Sequence, residues 1–461
     1  MRNLGRYRAA ALLAVPVLAL AGCGGSSSKK SADAPAPAGV VNVSFWHGMN
    51  GTNGEALTAL TDKFNAAHDG KIKVTAVYQG TYDDTIAKLK ASLQSKDSPN
   101  LAQIYDIGTK FMVDSKATTP VQNFIKNDKG FDANDLQKPI TNYYSPTGNS
   151  LASMPFNSSM PLLYINKEAF TKAGLDPTKP PTTLDEIRAD AEKLTVKDAG
   201  GKVVQYGFGA ALYGWFLEQF TAETGNEYCN QTNGHAGNAD QVELNKPPVV
   251  SVVDWWSKMV KDGYAVNTGR NTTDAQNSFK AGRAAITLES TGQLKSFQAA
   301  SAGKFTVGTG FFPTETASDD RSKGGPIIGG ASLWIMNGHP TYQQQAAWEY
   351  VKFLLEPEQM AFWHTHTGYF PTSKKALDLP DDVAWRKQFP GFQTAIDQLA
   401  KTPSTNATKG CSMGVMPQVR AASEVGLETA VLGKATPQAA MDQAATSLQP
   451  VIAAYNTAVK K

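Results

Sequence analysis

The sequence is poor in the residues that carry most metal and nucleophilic chemistry. It has only three cysteines and six histidines in 461 residues. The histidines are scattered, and the closest pair, His364 and His366, is two residues apart, a spacing that does not put both rings on one helix face. They read as polar residues near a helix end. The chain contains neither HExxH nor HxxEH, which argues against a zinc hydrolase. No metal, no cofactor and no catalytic residue is expected. No repeat of 20–50 residues is visible, and beyond the first 22 residues no apolar run is long enough to span a bilayer.

Those first 22 residues read as a targeting segment. Arg2, Arg6 and Arg8 form a basic start, Ala9 to Leu20 a short apolar stretch, and Leu20-Ala21-Gly22-Cys23 has the form of a lipobox. Cleavage before Cys23 and diacylation of its thiol would give a bacterial lipoprotein of the cell envelope, anchored on the outer face of the cytoplasmic membrane, since two acyl chains hold stably where one is marginal. Residues 23–39 then form the lipidated cysteine and a polar, Ser/Pro-rich tether.

An excess of charge of one sign is also missing. The leader carries three arginines and no acid, so without it 41 basic residues face 41 acidic ones. A nucleic-acid partner, which needs a basic patch or stripe, is not indicated. Charged residues make up 18% of the chain and hydrophobic ones 41%, proportions of a globular protein, and the length calls for two or three domains. Two cysteines remain after Cys23, and in an oxidising compartment Cys229 and Cys411 are candidates for a disulfide; the sequence leaves pairing and free thiols equally open.

What is present is a β-α-β start. Val41, Val43 and Phe45 alternate as in a half-buried strand, a glycine-rich loop follows, and Leu57, Leu60 and Phe64 share one helix face before a second strand at Ile72 and Val74. Thr81 with Asp84 predicts a capping box for a helix carrying Ile86, Leu89 and Leu93. Leu101 to Asp106 reads as a third strand ending in an acid, which on its own fits a turn or cap. Met160 to Tyr164 is an extended apolar run. A short helix opened by Asn166 and closed by Gly174 comes next, then a Pro-rich turn and a helix started by Thr183 and Glu186. Val249 to Asp262, Thr341 to Leu355, Glu358 to Thr365 and two segments from Pro417 onward have helical character. Lys304 to Phe312 and Pro326 to Met336 read as strands returning to the first lobe and leaving it.

The segments PFNSS, YINKEAFTKAGLDP, IIGGASLW, TGYFPT and MPQVR, in this order, resemble the sn-glycerol-3-phosphate-binding protein (UgpB) family of ABC-importer solute-binding proteins. The resemblance runs from about Val41 to the last helices. It implies an α/β, two-lobed periplasmic-binding-protein-like fold of type II, each lobe a β-sheet flanked by helices, with the ligand between them. Lobe one is expected at 40–158 plus 306–333 and lobe two at 159–305 plus 334–461. It further implies a glycerol phosphate or glycerophosphodiester as ligand, a permease with a cytoplasmic ATPase as partner, and a monomer.

Carried over position by position, the family's ligand-contacting residues fall on Tyr82 in QGTYDDT, Asp106 in QIYDIG, Ser159 in PFNSS, Ser290 before Thr291-Gly292, Gly330 in IIGGAS, Tyr369 in TGYFPT and Arg420 in MPQVR. Asp106 stands where better-known members have Glu, one methylene longer. The resemblance suits a phosphate held by the planar fork of Arg420, with a carboxylate at the polyol end and aromatic walls. Leu212 stands where the typical member has a tryptophan. The smaller wall would admit a diester such as glycerophosphocholine, whose ammonium would meet Tyr213 or Trp215; alternatively Tyr213 simply fills the space. Taken singly, Ser159 and Ser290 fit strand-end turns, Gly330 a bulge, Tyr369 a core ring and Arg420 a surface ion pair. An oligosaccharide receptor and a secreted phosphodiesterase are the competing functions.

Overall fold

Alternating apolar residues in Val41–His47 (β1) and Ile72–Tyr78 (β2) bury one face of each strand, and the helix Gly51–Ala67 between them covers that face with Leu57, Leu60 and Phe64. A right-handed crossover of this kind delivers parallel neighbours, and β1 indeed pairs in parallel with both β2 and Leu101–Tyr105 (β3). The computed structural model describes residues 38–145 and 150–460; the leader, Cys23 and most of the tether lie outside the described residues.

Thr118–Thr119 (β4) and Met154–Ser159 (β5) complete the first sheet through Gly329–Met336 (β11), in the order β2-β1-β3-β11-β4 with β5 also paired to β11. The second sheet takes Pro161–Asn166 (β6), Val196–Lys197 (β7), Val203–Phe208 (β8), Ala284–Ser290 (β9) and Val307–Phe311 (β10), ordered β10-β6-β9-β8-β7. Met160 alone separates β5 in one sheet from β6 in the other. The chain therefore crosses between lobes inside a single, fully buried stretch.

Local signals explain the element ends. Thr81 and Asp84 close a complete capping box on the helix Tyr82–Ser95. Thr183 caps the helix Leu184–Leu194, but Glu186 reaches back to the N–H and hydroxyl of Thr182 rather than to Thr183. Asn166 caps Lys167–Lys172.

Several expectations about lobe membership need correction. The helix Pro357–Thr367, expected in the second lobe, packs on Gly51–Ala67 in the first. The strand β10 pairs antiparallel with β6 in the second sheet and does not return to the first. Its two glycines make room for second-lobe side chains: a methyl at Gly310 would press on Pro180 and one at Gly308 on Ile165. The helix Thr341–Leu354, expected in the second lobe, packs on β1 and β11. Only four residues separate it from the end of β11, too few to carry it off that sheet. The helices Met416–Val431 and Pro437–Val459 pack on Pro247–Lys261 in the second lobe.

The structure joins Cys229 to Cys411 in a disulfide, with Cα atoms 5.8 Å apart. Among the described residues no helix is long and apolar enough to cross a membrane, and no group of three or more His, Cys, Asp or Glu is placed to hold a metal ion.

Candidate ligand-binding site

The pairing directions turn the carboxyl ends of both sheets toward the crossover at Met160. In the first sheet β3 ends at Tyr105 and hands on to Asp106, β5 ends at Ser159 beside the start of β11, and β2 leads through Gly80 and Thr81 to Tyr82. In the second sheet β9 ends at Ser290, opposite Pro161. Such strand ends, where chain direction leaves polar loops and free N–H groups, are where open α/β sheets receive ligands.

Arg420, in the second turn of Met416–Val431, is 3% exposed. Its Nε and Nη2 donate side-on to Glu218 Oε1 and Oε2 at 2.7 and 2.9 Å, Nη2 also donates to Asp106 Oδ2 at 3.1 Å, and Nη1 donates to the Tyr213 hydroxyl at 3.2 Å. The Asp106 contact joins the first lobe to the second. Burial pushes the carboxyls of Asp106 and Glu218 up, against the lowering effect of Arg420. Burial works against the charged guanidinium, yet the charges of Glu218 and Asp106 outweigh it and hold Arg420 well above its usual range.

Asp106, which the resemblance assigns to the polyol end of the ligand, shares the Arg420 guanidinium with Glu218. The reason is the cost of an uncompensated buried charge, which gathers acids around a buried arginine.

The remaining residues continue from this cluster without a break. The Arg420 guanidinium lies 6.0 Å from the Tyr105 ring centre, and Tyr105 lies 5.5 Å from Tyr82. The Tyr82 hydroxyl meets that of Tyr369 at 3.4 Å and accepts from Asn157 at 2.8 Å. Asn157 is fixed in turn by Gln103, whose oxygen accepts from the Gly48 N–H. Tyr369 stacks on Trp363 and covers Gly292, where an added methyl would lie 2.6 Å from the ring. Ser290 Oγ accepts from the Gly292 N–H.

Gly330 has φ +87°, and a Cβ there would collide with the Asn157 carbonyl, so the position admits only glycine. It pairs with Ser158, and its neighbour Gly329 pairs with Ser159 and lies under the Trp215 ring. Tyr213 precedes the wholly buried helix Gly214–Glu223. Leu212 is fully buried and donates its N–H to Gly269; it belongs to the second-lobe core. The disulfide holds the loop that leads to Arg420, and a cavity of about 430 Å³ opens there, bordered by Asp106, Lys110, His235 and Cys411.

Sequence reasoning missed Glu218. Its only trace was an acid in the apolar helix GWFLEQFTAE, a charge that burial obliges to find a partner. Gln103 and Asn157, amides in otherwise apolar strands, gave the same kind of signal. Asn53, whose Oδ1 is buried without a partner among the described residues, gave none.

Comparison with known proteins agrees with this architecture. The pattern of the bacterial extracellular solute-binding protein family matches residues 59–391. The sn-glycerol-3-phosphate-binding periplasmic protein UgpB of Yersinia pseudotuberculosis is 37% identical over 87% of this chain and 90% of its own. The protein of the same name from Escherichia coli K12 is 36% identical over 88% of this chain and 91% of its own. In fold, the chain is similar to UgpB from Mycobacterium tuberculosis, solved in complex with glycerophosphocholine, with a TM-score of 0.74 at 22% identity over 90% of this chain and 99% of that one. It is also similar to the cyclic α-maltosyl-1,6-maltose binding protein of Arthrobacter globiformis, with a TM-score of 0.68 at 21% identity over 90% and 99%. With two sheets presenting their carboxyl edges to one another and relatives covering nearly its whole length, the chain belongs to the family of bacterial extracellular solute-binding proteins.

Proposed function

We propose that this chain is the receptor of an ABC importer for sn-glycerol-3-phosphate or a glycerophosphodiester such as glycerophosphocholine. It acts as a monomer held to the membrane through Cys23, closes on its ligand by hinge motion about Met160, and delivers it to a permease driven by a cytoplasmic ATPase. Binding is reversible and no covalent step is involved.

The observation that carries this reading is the unbroken chain of contacts from Arg420 through Tyr105 and Tyr82 to Tyr369. It draws together residues from remote parts of the sequence, and Arg420, Tyr82 and Tyr369 among them are ones that the family resemblance assigns to the ligand. The Yersinia and Escherichia relatives, whose name specifies glycerol phosphate, add weight through identity over nearly the full length. In this reading Arg420 and the Tyr213 hydroxyl receive a phosphate oxygen, and Ser159, Ser290 and the Gly330 N–H supply further hydrogen bonds. Asp106 accepts from a ligand hydroxyl, and Tyr82 and Tyr369 wall the glycerol carbons. Leu212, in place of a larger ring, leaves width for a diester head group near Tyr213 and Trp215.

Calorimetric titration of the purified protein with sn-glycerol-3-phosphate, glycerophosphocholine and maltose tests this. Binding of a phosphate compound, lost in Arg420→Ala, is the expected result. Binding of maltose alone would replace the reading with a sugar receptor.

A further inference from the structure

Arg420 has less to offer an anion than a lone buried arginine would. Its guanidinium carries five N–H groups. Two go side-on to Glu218, one to Asp106 and one to the Tyr213 hydroxyl. One N–H, on Nη1, is left without an acceptor among the described residues. The edge that would grip a phosphate through two parallel bonds is therefore held by Glu218.

The charge balance points the same way. Asp106 and Glu218 are 6% and 5% exposed and share one cation. A third carboxyl, Glu424, lies one turn beyond Arg420 and accepts from the Gly214 N–H at 3.2 Å. Asp83, from the first lobe, receives the Tyr105 hydroxyl at 2.6 Å. Among the other cations, Arg270 pairs with Glu428 at 3.3 Å and the Lys90 ammonium sits over the Phe111 ring. Of the two lysines that border the cavity beside Asp106, Lys110 is paired with Asp114 at 2.6 Å and Lys409 is exposed.

Resting on the phosphate-ligand reading above, we propose that Glu218 is a specificity-determining residue: by holding Arg420 side-on, together with Asp106, it makes the cleft select a phosphodiester over a phosphomonoester. A diester carries one negative charge and can use the single Nη1 hydrogen and the Tyr213 hydroxyl. A monoester carries about −1.5 to −2 at pH 7. Its second charge would face two buried carboxylates where water does not screen the repulsion. This device acts through charge and is separable from the width left by Leu212, which acts through shape.

The test is titration of the wild-type protein, Glu218→Gln and Asp106→Asn with sn-glycerol-3-phosphate and with glycerophosphocholine at pH 7, with a thermal melt of each protein. Glutamine keeps the volume and one side-on oxygen and removes the charge. The wild-type protein is expected to prefer the diester, and Glu218→Gln to raise the monoester-to-diester affinity ratio at least tenfold. Asp106→Asn is expected to move the ratio in the same direction, and it decides the matter if Glu218→Gln does not fold. A loss of positioning alone would weaken both ligands together and leave the ratio where it was. An unchanged or falling ratio in a folded variant, or a wild-type preference for the monoester, overturns the inference. Binding of neither compound by folded wild-type protein is a separate failure, which overturns the phosphate-ligand reading and this inference with it.

Discussion

Asn53, in the first helix of one lobe, donates its side-chain amide to the backbone carbonyl of Gly292 in the other, at 3.1 Å and across 239 residues of sequence. With the Arg420–Asp106 contact it is one of the bonds that exist only while the lobes are together. A neutral buried hydrogen bond contributes about 0.5–1.5 kcal/mol. Asn53→Ala should therefore weaken ligand binding about 2- to 10-fold by favouring the open form. Calorimetry reads the affinity, and small-angle scattering of the ligand-free protein should show a larger radius of gyration.

Removing Arg420 should do more than abolish binding. Arg420→Ala leaves Asp106 and Glu218 buried with no cation between them, and breaking a buried pair in this way costs about 3–5 kcal/mol. Urea unfolding should show that loss. Arg420→Lys keeps the charge but not the planar fork, and it should recover part of the stability with little of the binding.

Burial pushes the Glu223 carboxyl up to about 8, with Arg321 opposing only weakly from 3.4 Å. The folded protein therefore holds this proton more tightly than the unfolded chain does. The associated stability is fully present below the ordinary glutamate range and is lost as pH rises toward 8. Glu223→Gln should raise the melting temperature by about 2 °C or more at pH 8.5 and leave it nearly unchanged at pH 4. An equal shift at both values would mean that the gain comes from packing.

The Cys229–Cys411 disulfide, with a sequence separation of 182, closes a loop that passes through β11 of the first sheet before returning to the second lobe. Reduction should lower stability by about 2–4 kcal/mol. Urea midpoints with and without a thiol reductant measure this, and Cys229→Ser should match the reduced protein.

Much of the local structure was legible from neighbouring residues. Thr81 and Asp84 announced a capping box because both partners lie within one helical turn. The apolar run at Met160 was legible as an extended, buried segment, but that it crosses between lobes was implied only by the family resemblance, since a stretch buried on all sides shows no alternation to assign it to a sheet. The partner of β10 was not legible: Val307–Phe311 reads equally well as an edge strand of either sheet, and glycine contacts with Pro180 and Ile165 decided it.

Family motifs brought Tyr82, Asp106, Ser159, Ser290, Gly330, Tyr369 and Arg420 forward as candidates, because side-chain type at a motif position survives in the linear chain. What these side chains touch did not. Arg420 and Glu218 are 202 residues apart, and no local rule links a basic residue on one helix to an acid on another. By itself the sequence determined the individual strands and helix starts, which follow from periodicity and short-range hydrogen bonding, while its family motifs implied the two-lobed fold, the crossover and the residues offered to a ligand. The tertiary structure alone decided which sheet β10 joined, that Cys229 meets Cys411, and that Arg420 is shared by two carboxylates. Each of these is a pairing across space, and its energy comes from removing water from both partners at once.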